Sequence, residues 1–207
     1  MRLLPLVIRA AALAFALAAF PALSADRTVL VFGDSLSAAY GLSPAQGWVS
    51  LLAQRLAAPW KVVNASISGE TTAGGVRRLA EDLRRHKPAV VVIELGANDA
   101  LRGQPIAAIR ANREKMISLT REARAEPVLV GLMIPPNYGI DYATEFRDLY
   151  PRLAAKNKVT LVPFLLQGVA ERSDLFLPDQ LHPSAEAQPI ILQNVWPALE
   201  AAMKKAR

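Results

Sequence analysis

The sequence predicts an α/β protein with a three-layer α/β/α architecture and a five-stranded, mostly parallel sheet. Short runs rich in Val, Leu and Ile alternate along the chain with longer amphipathic segments, a pattern typical of β-α-β-α order. The strand candidates are almost continuously apolar, which indicates burial on both faces of the sheet. The 207 residues contain no internal repeat or long linker, so we expect one domain over residues 25–207.

Five segments are predicted as strands because β-branched and other aliphatic residues are concentrated in them: residues 28–32, 61–65, 89–95, 128–134 and 159–164. The longer segments between and after them are predicted as helices: residues 46–57, 74–86, 105–125, 142–157 and 185–204. Pro105 suits a helix start, while Pro88 and Pro127 are expected to close helices before the next strand. Pro151 and Pro197 fall inside predicted helices, where we expect kinks or breaks.

The amino terminus has the pattern of a secretory signal peptide. Arg2 and Arg9 precede an apolar run over residues 10–20, which is followed by small residues up to Ser24. The run is too short to span a bilayer, which takes about 20 apolar residues. We therefore expect residues 1–24 to be removed by cleavage between Ser24 and Ala25, leaving a periplasmic or secreted protein without membrane insertion.

The composition excludes several classes of protein. With 52% hydrophobic and 20% charged residues, the chain is neither disordered nor fibrous. It has no cysteine, which excludes a thiol nucleophile, a thiolate zinc site and a disulfide. The net charge of +6 comes from scattered basic residues, and the densest group, within residues 77–87, contains no aromatic residue. No nucleic-acid partner is therefore expected.

Four polar segments follow predicted strands, or lie in the loop after the last strand. They read Gly-Asp-Ser-Leu at 33–36, Ser-Ile-Ser-Gly-Glu-Thr at 66–71, Gly-Ala-Asn-Asp at 96–99 and Asp-Gln-Leu-His-Pro at 179–183. Ligands of open parallel sheets bind beyond the carboxyl ends of the strands. Each segment alone is an ordinary turn sequence, but four of them at one sheet edge predict a catalytic site.

The residue types in these loops fit nucleophilic catalysis by a serine. A serine hydroxyl attacks well only when a base removes its proton, and the base is usually a histidine held by a carboxylate. The chain has two histidines, and His86 lies at a helix end on the edge opposite the loops. By elimination, His182 is the base, Asp179 three residues earlier orients it, and Ser35 is the nucleophile.

Acyl transfer also needs donors that stabilise the developing oxyanion. A glycine N–H, an asparagine amide and the nucleophile's own N–H are suitable groups. Gly69 and Asn98 lie in the loops that flank the serine. Asp34 and Asp99 could be taken for metal ligands, but no second clustered histidine or metal loop accompanies them. We therefore expect neither a metal nor a cofactor.

Taken together, these segments resemble the SGNH (GDSL) hydrolases, which are named after Ser, Gly, Asn and His in four sequence blocks. The resemblance covers essentially the whole chain after residue 24 and implies a flavodoxin-like fold. It implies that Ser35 is the nucleophile and an oxyanion donor, that Gly69 and Asn98 are the other donors, and that His182 and Asp179 complete the triad. Segments 64–71 and 134–139 are most similar to secreted bacterial members that hydrolyse acyl-CoA thioesters, aryl esters and lysophospholipids.

The resemblance favours fatty acyl esters and thioesters as small-molecule substrates of a monomeric enzyme. Apolar residues near the loops could bind the acyl chain or simply pack against helices, and the strongest candidates are Ile67, Leu101, Pro135, Tyr138 and Leu181. Two alternatives stay open. One is a carbohydrate O-acetylesterase on the same fold, and the other is a non-catalytic periplasmic binding module. Dinucleotide and Walker phosphate loops are absent from the sequence, as is the Gly-x-Ser-x-Gly turn of α/β-hydrolases.

Overall fold

A computed structural model describes residues 27–206, which form an α/β/α structure around one five-stranded sheet. The strand order is β2-β1-β3-β4-β5, and every neighbouring pair is parallel, so the predicted mostly parallel sheet is entirely parallel here. This is the flavodoxin-like order. The predicted signal peptide, residues 1–24, lies outside the described residues.

All five predicted strands are confirmed, with shifts at their ends. They are β1 (Arg27–Gly33), β2 (Trp60–Asn64), β3 (Val90–Glu94), β4 (Glu126–Val130) and β5 (Thr160–Val162). The fifth strand is half as long as predicted, since Pro163 follows it and has no N–H to donate to a neighbouring strand. The sequence predicts that Pro127 closes a helix, but this is wrong. Pro127 lies inside β4, where it is paired with Val91.

The five predicted helices are also present, and a sixth was not predicted. The helices are α1 (Trp48–Arg55), α2 (Thr72–His86), α3 (Ala97–Leu101), α4 (Ile106–Glu122), α5 (Ile140–Asn157) and α6 (Gln188–Lys205). The unpredicted helix is α3, whose five residues are too few to show a helical period. Pro151 and Pro197, expected to kink or break helices, lie within α5 and α6, which continue on both sides of them.

The helices cover both faces of the sheet. Helices α1 and α6 pack on one face, and α2, α4 and α5 pack on the other. The central strands β1 and β3 are buried along almost their whole length, which explains why their sequences do not alternate between apolar and polar residues. Over residues 27–206, no helix has both the length and the apolar character needed to cross a membrane.

The strand order also determines where a site can form. The chain moves from β1 outward to β2, returns across β1 to β3, and then continues in the other direction to β4 and β5. The loops after β1 and β3 therefore separate at the carboxyl edge of the sheet, which leaves a crevice between them. The segments at 33–36 and 96–99 are at this crevice.

Candidate active site

Ser35 lies in a tight turn directly after β1, which ends at Gly33. The Asp34 carboxylate shapes this turn by accepting a hydrogen bond from the Leu36 N–H at 3.0 Å through Oδ1. Its other oxygen, Oδ2, accepts a hydrogen bond from the Asn98 side-chain amide at 3.0 Å. Asp34 therefore connects the turn after β1 to the loop after β3.

Ser35, His182 and Asp179 form a continuous chain of hydrogen bonds. The distance from Ser35 Oγ to His182 Nε2 is 2.9 Å, and that from His182 Nδ1 to Asp179 Oδ2 is 2.7 Å. The other Asp179 oxygen accepts the backbone N–H groups of Leu181 and His182 at 2.9 and 3.0 Å. These bonds, first the backbone N–H of His182 and then its side chain, lower the pKa of Asp179 to about 2.

The ionised Asp179 determines which imidazole nitrogen carries the proton. An ionised carboxylate only accepts hydrogen bonds, so Nδ1 of His182 must be the protonated nitrogen of the neutral ring. Nε2 is then free to accept the Ser35 hydroxyl proton, which is the arrangement that a general base requires.

Tyr40 also contacts the imidazole, although nothing in the sequence singled it out. Its ring centroid lies 4.3 Å from that of His182, with 37° between the ring planes. The contact restricts rotation of the imidazole. Its position five residues after Ser35, in the same turn region, is the one sequence feature that could have indicated it.

Asn98 and Gly69 lie on the same cavity as Ser35. Asn98 is the second residue of α3, and Gly69 precedes α2 with a φ of +78°, a conformation that glycine adopts without strain. Arg102 Nη2 donates a hydrogen bond to the Gly69 carbonyl oxygen at 3.2 Å. This bond holds the Gly69 loop against the end of α3.

A buried contact joins the two loops that carry Gly69 and Asn98. The Asp99 carboxylate accepts the Thr72 backbone N–H at 2.8 Å and the Thr72 hydroxyl at 2.6 Å. Thr72 begins α2 and Asp99 lies in the first turn of α3. The contact therefore holds the first turns of the two helices together. Both aspartates considered as metal ligands, Asp34 and Asp99, are thus engaged by protein donors. In the part of the chain that the structure describes, no group of three or more His, Asp or Glu residues could hold a metal ion.

Glu94, at the end of β3, lies directly beneath the turn that contains Ser35 and is completely buried. Its Oε2 accepts the Ser37 hydroxyl at 2.7 Å and the Asp34 N–H at 3.2 Å. Gly33 leaves room for this contact, because a Cβ there would lie 2.4 Å from Glu94 Oε2. Burial, and then the neighbouring Asp34, raise the pKa of Glu94 well above its usual range. Glu94 is therefore a hydrogen-bonded support of the site.

Burial also raises the pKa of Asp34, to about 6, while the hydrogen bonds from Leu36 and Asn98 oppose the increase. A buried cation, Arg113 of α4, acts in the same direction as these hydrogen bonds. Its guanidinium lies 4.2 Å from the centroid of the Tyr150 ring, and Nη2 donates to the Tyr150 hydroxyl at 3.2 Å. The nucleophile turn therefore rests on a buried group of two carboxylates and one guanidinium.

The catalytic cavity has a volume of about 400 Å³, within the usual range for small-molecule sites. Of the five apolar residues predicted to bind substrate, Leu101, Pro135 and Leu181 line it. Ile67 lies in a separate groove beside Arg78, and Tyr138 belongs to the short turn after Pro135. Three lining residues were not predicted, because they come from segments without a motif: Tyr40, Met133 and Leu166.

The fold and the contacts of Ser35, His182 and Asp179 define the class of serine hydrolases. Within that class, the chain belongs to the GDSL-like lipase/acylhydrolase family, whose family model matches residues 31–189. The matched range contains all four polar segments. The family predicted from the sequence is therefore confirmed.

Relatives of this chain are similar over most of their length. Esterase TesA of Pseudomonas aeruginosa is 48% identical over 180 residues, which cover 86% of this chain and 90% of that protein. An arylesterase of Vibrio mimicus is 45% identical, with coverages of 83% and 87%. Thioesterase 1/protease 1/lysophospholipase L1 of Escherichia coli is 40% identical, with coverages of 83% and 82%. The crystal structure of TesA superimposes with a TM-score of 0.82, at 48% identity, over 85% of this chain and 99% of that one.

Proposed function

We propose that the protein is a serine hydrolase that cleaves fatty acyl esters and thioesters through an acyl-enzyme on Ser35. One observation carries this proposal, namely the chain of hydrogen bonds from Ser35 through His182 to Asp179 at the edge of an apolar cavity. The names of the relatives, which include an esterase, an arylesterase and a thioesterase/lysophospholipase, support the same chemistry.

In the acylation step, Ser35 Oγ attacks the carbonyl carbon of the substrate while His182 Nε2 takes the hydroxyl proton. The carbonyl oxygen becomes an oxyanion, which accepts hydrogen bonds from the Asn98 amide and from the backbone N–H groups of Gly69 and Ser35. The imidazolium then donates its proton to the leaving alcohol or thiol as the bond to the carbonyl carbon breaks. Asp179 remains ionised throughout and stabilises the imidazolium.

In the deacylation step, water takes the place of the leaving group. His182 Nε2 removes a proton from the water, whose oxygen attacks the carbonyl carbon of the acyl-enzyme. The second oxyanion collapses, the bond to Ser35 Oγ breaks, and the proton returns from His182 to the serine. The fatty acid leaves, and neither step requires a metal or cofactor.

The apolar lining supports lipid substrates over sugar esters. Leu101, Pro135 and Leu181 present hydrocarbon to the cavity, which suits an acyl chain and offers few donors to a carbohydrate. We propose all three as acyl-binding residues. Ile67 and Tyr138 lie outside the wall of the cavity, and we propose no acyl contact for them.

The test is hydrolysis of p-nitrophenyl esters, from acetyl to palmitoyl, by the unmodified protein and by Ser35→Ala. The variant should lose at least about 10³-fold in kcat, because no hydroxyl remains to form the acyl-enzyme. Ser118→Ala is the matched control, because Ser118 is exposed on α4 and should not affect the rate. A near-normal rate for Ser35→Ala would rule out the proposed nucleophile. Activity confined to acetate would favour the O-acetylesterase, and no activity would favour the binding module.

We also propose that residues 1–24 direct the chain to the periplasm or the medium and are then removed, and that the mature domain, residues 25–207, is a monomer. Arg2, Arg9 and the apolar run over residues 10–20 support the export signal. The intact mass of the exported protein tests the cleavage site after Ser24, and a full-length mass would contradict it.

A further inference from the structure

A fully buried arginine lies behind the candidate active site rather than in the wall of its cavity. Arg113, on α4, has an exposed fraction of 0% and does not line the catalytic cavity. Its Nη2 donates to the Tyr150 hydroxyl, whereas Nε and Nη1 are buried without a hydrogen-bond partner among residues 27–206. Burial lowers the pKa of the guanidinium, but an arginine keeps its proton at neutral pH. Arg113 therefore brings a full positive charge into the core.

The guanidinium lies against the start of α3, the helix that carries Asn98. A Cβ added to Gly96 would lie 3.3 Å from Arg113 Nε and 3.2 Å from the Tyr150 hydroxyl oxygen. Gly96 is the residue before α3, and Asn98 is the second residue of that helix. The positive charge is therefore placed against the backbone that leads into the proposed oxyanion donor.

A buried charge is costly unless opposite charges lie nearby. Burial raises the pKa of the Tyr150 hydroxyl, so the tyrosine stays neutral and does not supply that charge. Among residues 27–206, three buried carboxylates act on the guanidinium: Asp34 of the turn after β1, Glu94 of β3 and Asp99 of α3. Of these, Asp34 accepts the Asn98 side-chain amide at 3.0 Å. Arg113 and Asn98 are thus connected through one carboxylate.

We propose that Arg113 is a positioning residue for Asn98 and acts through Asp34, whose carboxylate its positive charge keeps ionised. This inference rests on the proposed function and adds a residue to the stabilisation of the oxyanion. An ionised Asp34 accepts a hydrogen bond on each oxygen, from the Leu36 N–H and from the Asn98 amide. A protonated Asp34 carries a hydrogen on one oxygen, which competes with one of these donors. Arg113 therefore holds the Asn98 amide in place from outside the substrate cavity.

The pKa of Asp34 supports the direction of this effect. Burial raises it to about 6, and the two hydrogen bonds oppose the increase most strongly. The charges of His182, from the loop after β5, and of Arg113 act in the same direction as these hydrogen bonds. Removal of Arg113 should therefore raise the pKa of Asp34 further.

The experiment replaces Arg113 with a neutral side chain of similar length. In Arg113→Met, the acid limb of kcat for p-nitrophenyl butyrate should move upward by about 0.5–1 pH unit, which lowers kcat at pH 6 about two- to fivefold. At pH 8.5 kcat should equal that of the unmodified protein, and KM should not change, because Arg113 does not line the cavity. Arg110→Met is the matched control, since it removes one positive charge from the exposed side of the same helix and should leave the profile unchanged.

A double variant shows whether the effect passes through Asp34. In Asp34→Asn the carboxylate is absent, so the addition of Arg113→Met should no longer move the pH profile. A shift that persists without Asp34 would assign the effect to Glu94 or Asp99 and overturn the inference. An acid limb that stays in place in Arg113→Met, or a kcat that falls equally at pH 6 and pH 8.5, would also overturn it. If Arg113→Met does not fold, Arg113→Gln is also neutral and should give the same shift.

Unfolding measurements test the same inference without a substrate. Asp34 binds a proton more tightly in the folded protein than in the unfolded chain, so its contribution to stability falls as the pH rises from about 4 to about 6. With Arg113→Met this fall should extend to about pH 7, measured by urea unfolding with and without Asp34→Asn. An unchanged pH range would contradict the role of Arg113. Butyrate hydrolysis that depends on Ser35 tests the proposed function separately, so a failure of one is distinguishable from a failure of the other.

Discussion

Asn98 donates one of its two amide hydrogens to Asp34, over 3.0 Å from Nδ2 to Oδ2. The second hydrogen of the same nitrogen is then available to the oxyanion. The bond to Asp34 fixes the plane of the amide before the substrate binds, and preorganised donors of this kind stabilise a transition state without reorganisation. We therefore propose that the Asp34 carboxylate acts on catalysis through Asn98.

We therefore expect Asn98→Ala to lower kcat about 10²–10³-fold, because one oxyanion donor is lost while the triad is retained. The KM for short esters should change much less, since the donor acts mainly in the transition state. Steady-state kinetics with p-nitrophenyl butyrate would measure both values, and thermal unfolding would verify that the variant is folded. A loss of only a few-fold would remove Asn98 from the oxyanion role.

Asp34 should make the enzyme sensitive to pH near 6, because burial raises its pKa from 3.8 to about 6. Above this value the carboxylate accepts hydrogen bonds from both Leu36 and Asn98, and below it one oxygen carries a proton. We expect kcat to fall as the pH drops through about 6. Asp34→Asn should remove this part of the profile, and an unchanged slope between pH 5 and 7 would contradict the assignment.

The same pKa predicts how stability depends on pH. The folded protein binds a proton at Asp34 more tightly than the unfolded chain does, so the contribution of this group to stability falls as the pH rises from about 4 to about 6. Urea unfolding would measure the difference in unfolding free energy between the unmodified protein and Asp34→Asn. This difference should change with pH between about 4 and 6 and be constant at higher pH.

At the level of elements, the sequence predicted the strands and the long helices because each has a clear hydrophobic pattern. It missed α3, which is held by the Asp99 contact to Thr72 at the start of α2 rather than by a period of its own. It also extended the fourth strand to residue 134, although β4 ends at Val130 and Gly131 comes close to the Pro163 carbonyl oxygen. Contacts between distant segments determine both features, and no local pattern encodes them.

Glu94 joins two elements, since it belongs to β3 and receives hydrogen bonds from the turn after β1. Burial raises its pKa well above the usual range, which favours the neutral acid, and glutamine is nearly isosteric with that form. Glu94→Gln should therefore cost less than about 1 kcal/mol of unfolding free energy. Glu94→Leu leaves the Asp34 N–H and the Ser37 hydroxyl buried without an acceptor, at roughly 1–3 kcal/mol each.

Urea unfolding of both Glu94 variants at pH 7 would measure these costs, and the butyrate assay would show whether the nucleophile turn is still intact. Glu94→Leu should also lose activity, because Asp34 then has one contact fewer to hold it. If Glu94→Gln were as unstable as Glu94→Leu, the buried acid would be ionised and its charge, rather than its hydrogen bonds, would matter.

At the scale of the whole molecule, the residues that we propose as catalytic come from four loops spread over most of the chain, from Ser35 to His182. The order of the loops at one sheet edge could be predicted, because parallel strands bring their carboxyl ends together. The shape of the catalytic cavity could not be predicted, since its wall combines Leu181 of segment 179–183 with Met133 and Leu166, which come from segments that carry no motif. Motifs therefore predicted the chemistry better than the fit of the acyl chain.

The domain should fold and work without residues 1–24, because β1 begins at Arg27. A chain that starts at Ala25 keeps every contact of the sheet that the structure describes, so its unfolding temperature and esterase activity should equal those of a chain that retains residues 1–24. A chain that starts at Val31 lacks Val29 and Leu30, which are fully buried and pair with Val90 and Val91 of β3. Burial of two such side chains contributes about 1.5–3 kcal/mol each to the free energy of unfolding, which is typically about 5–15 kcal/mol for a whole domain.

The loss should exceed those two side chains, because β1 lies between β2 and β3 and loses four of its five paired positions with β2 and two of its five with β3. We expect the chain that starts at Val31 to show no cooperative unfolding transition by circular dichroism and no hydrolysis of p-nitrophenyl butyrate. If it folded and retained activity, β1 would not be the central element of the sheet's stability. If the chain that starts at Ala25 were unstable, residues before β1 would belong to the domain, and the proposed boundary after Ser24 would be wrong.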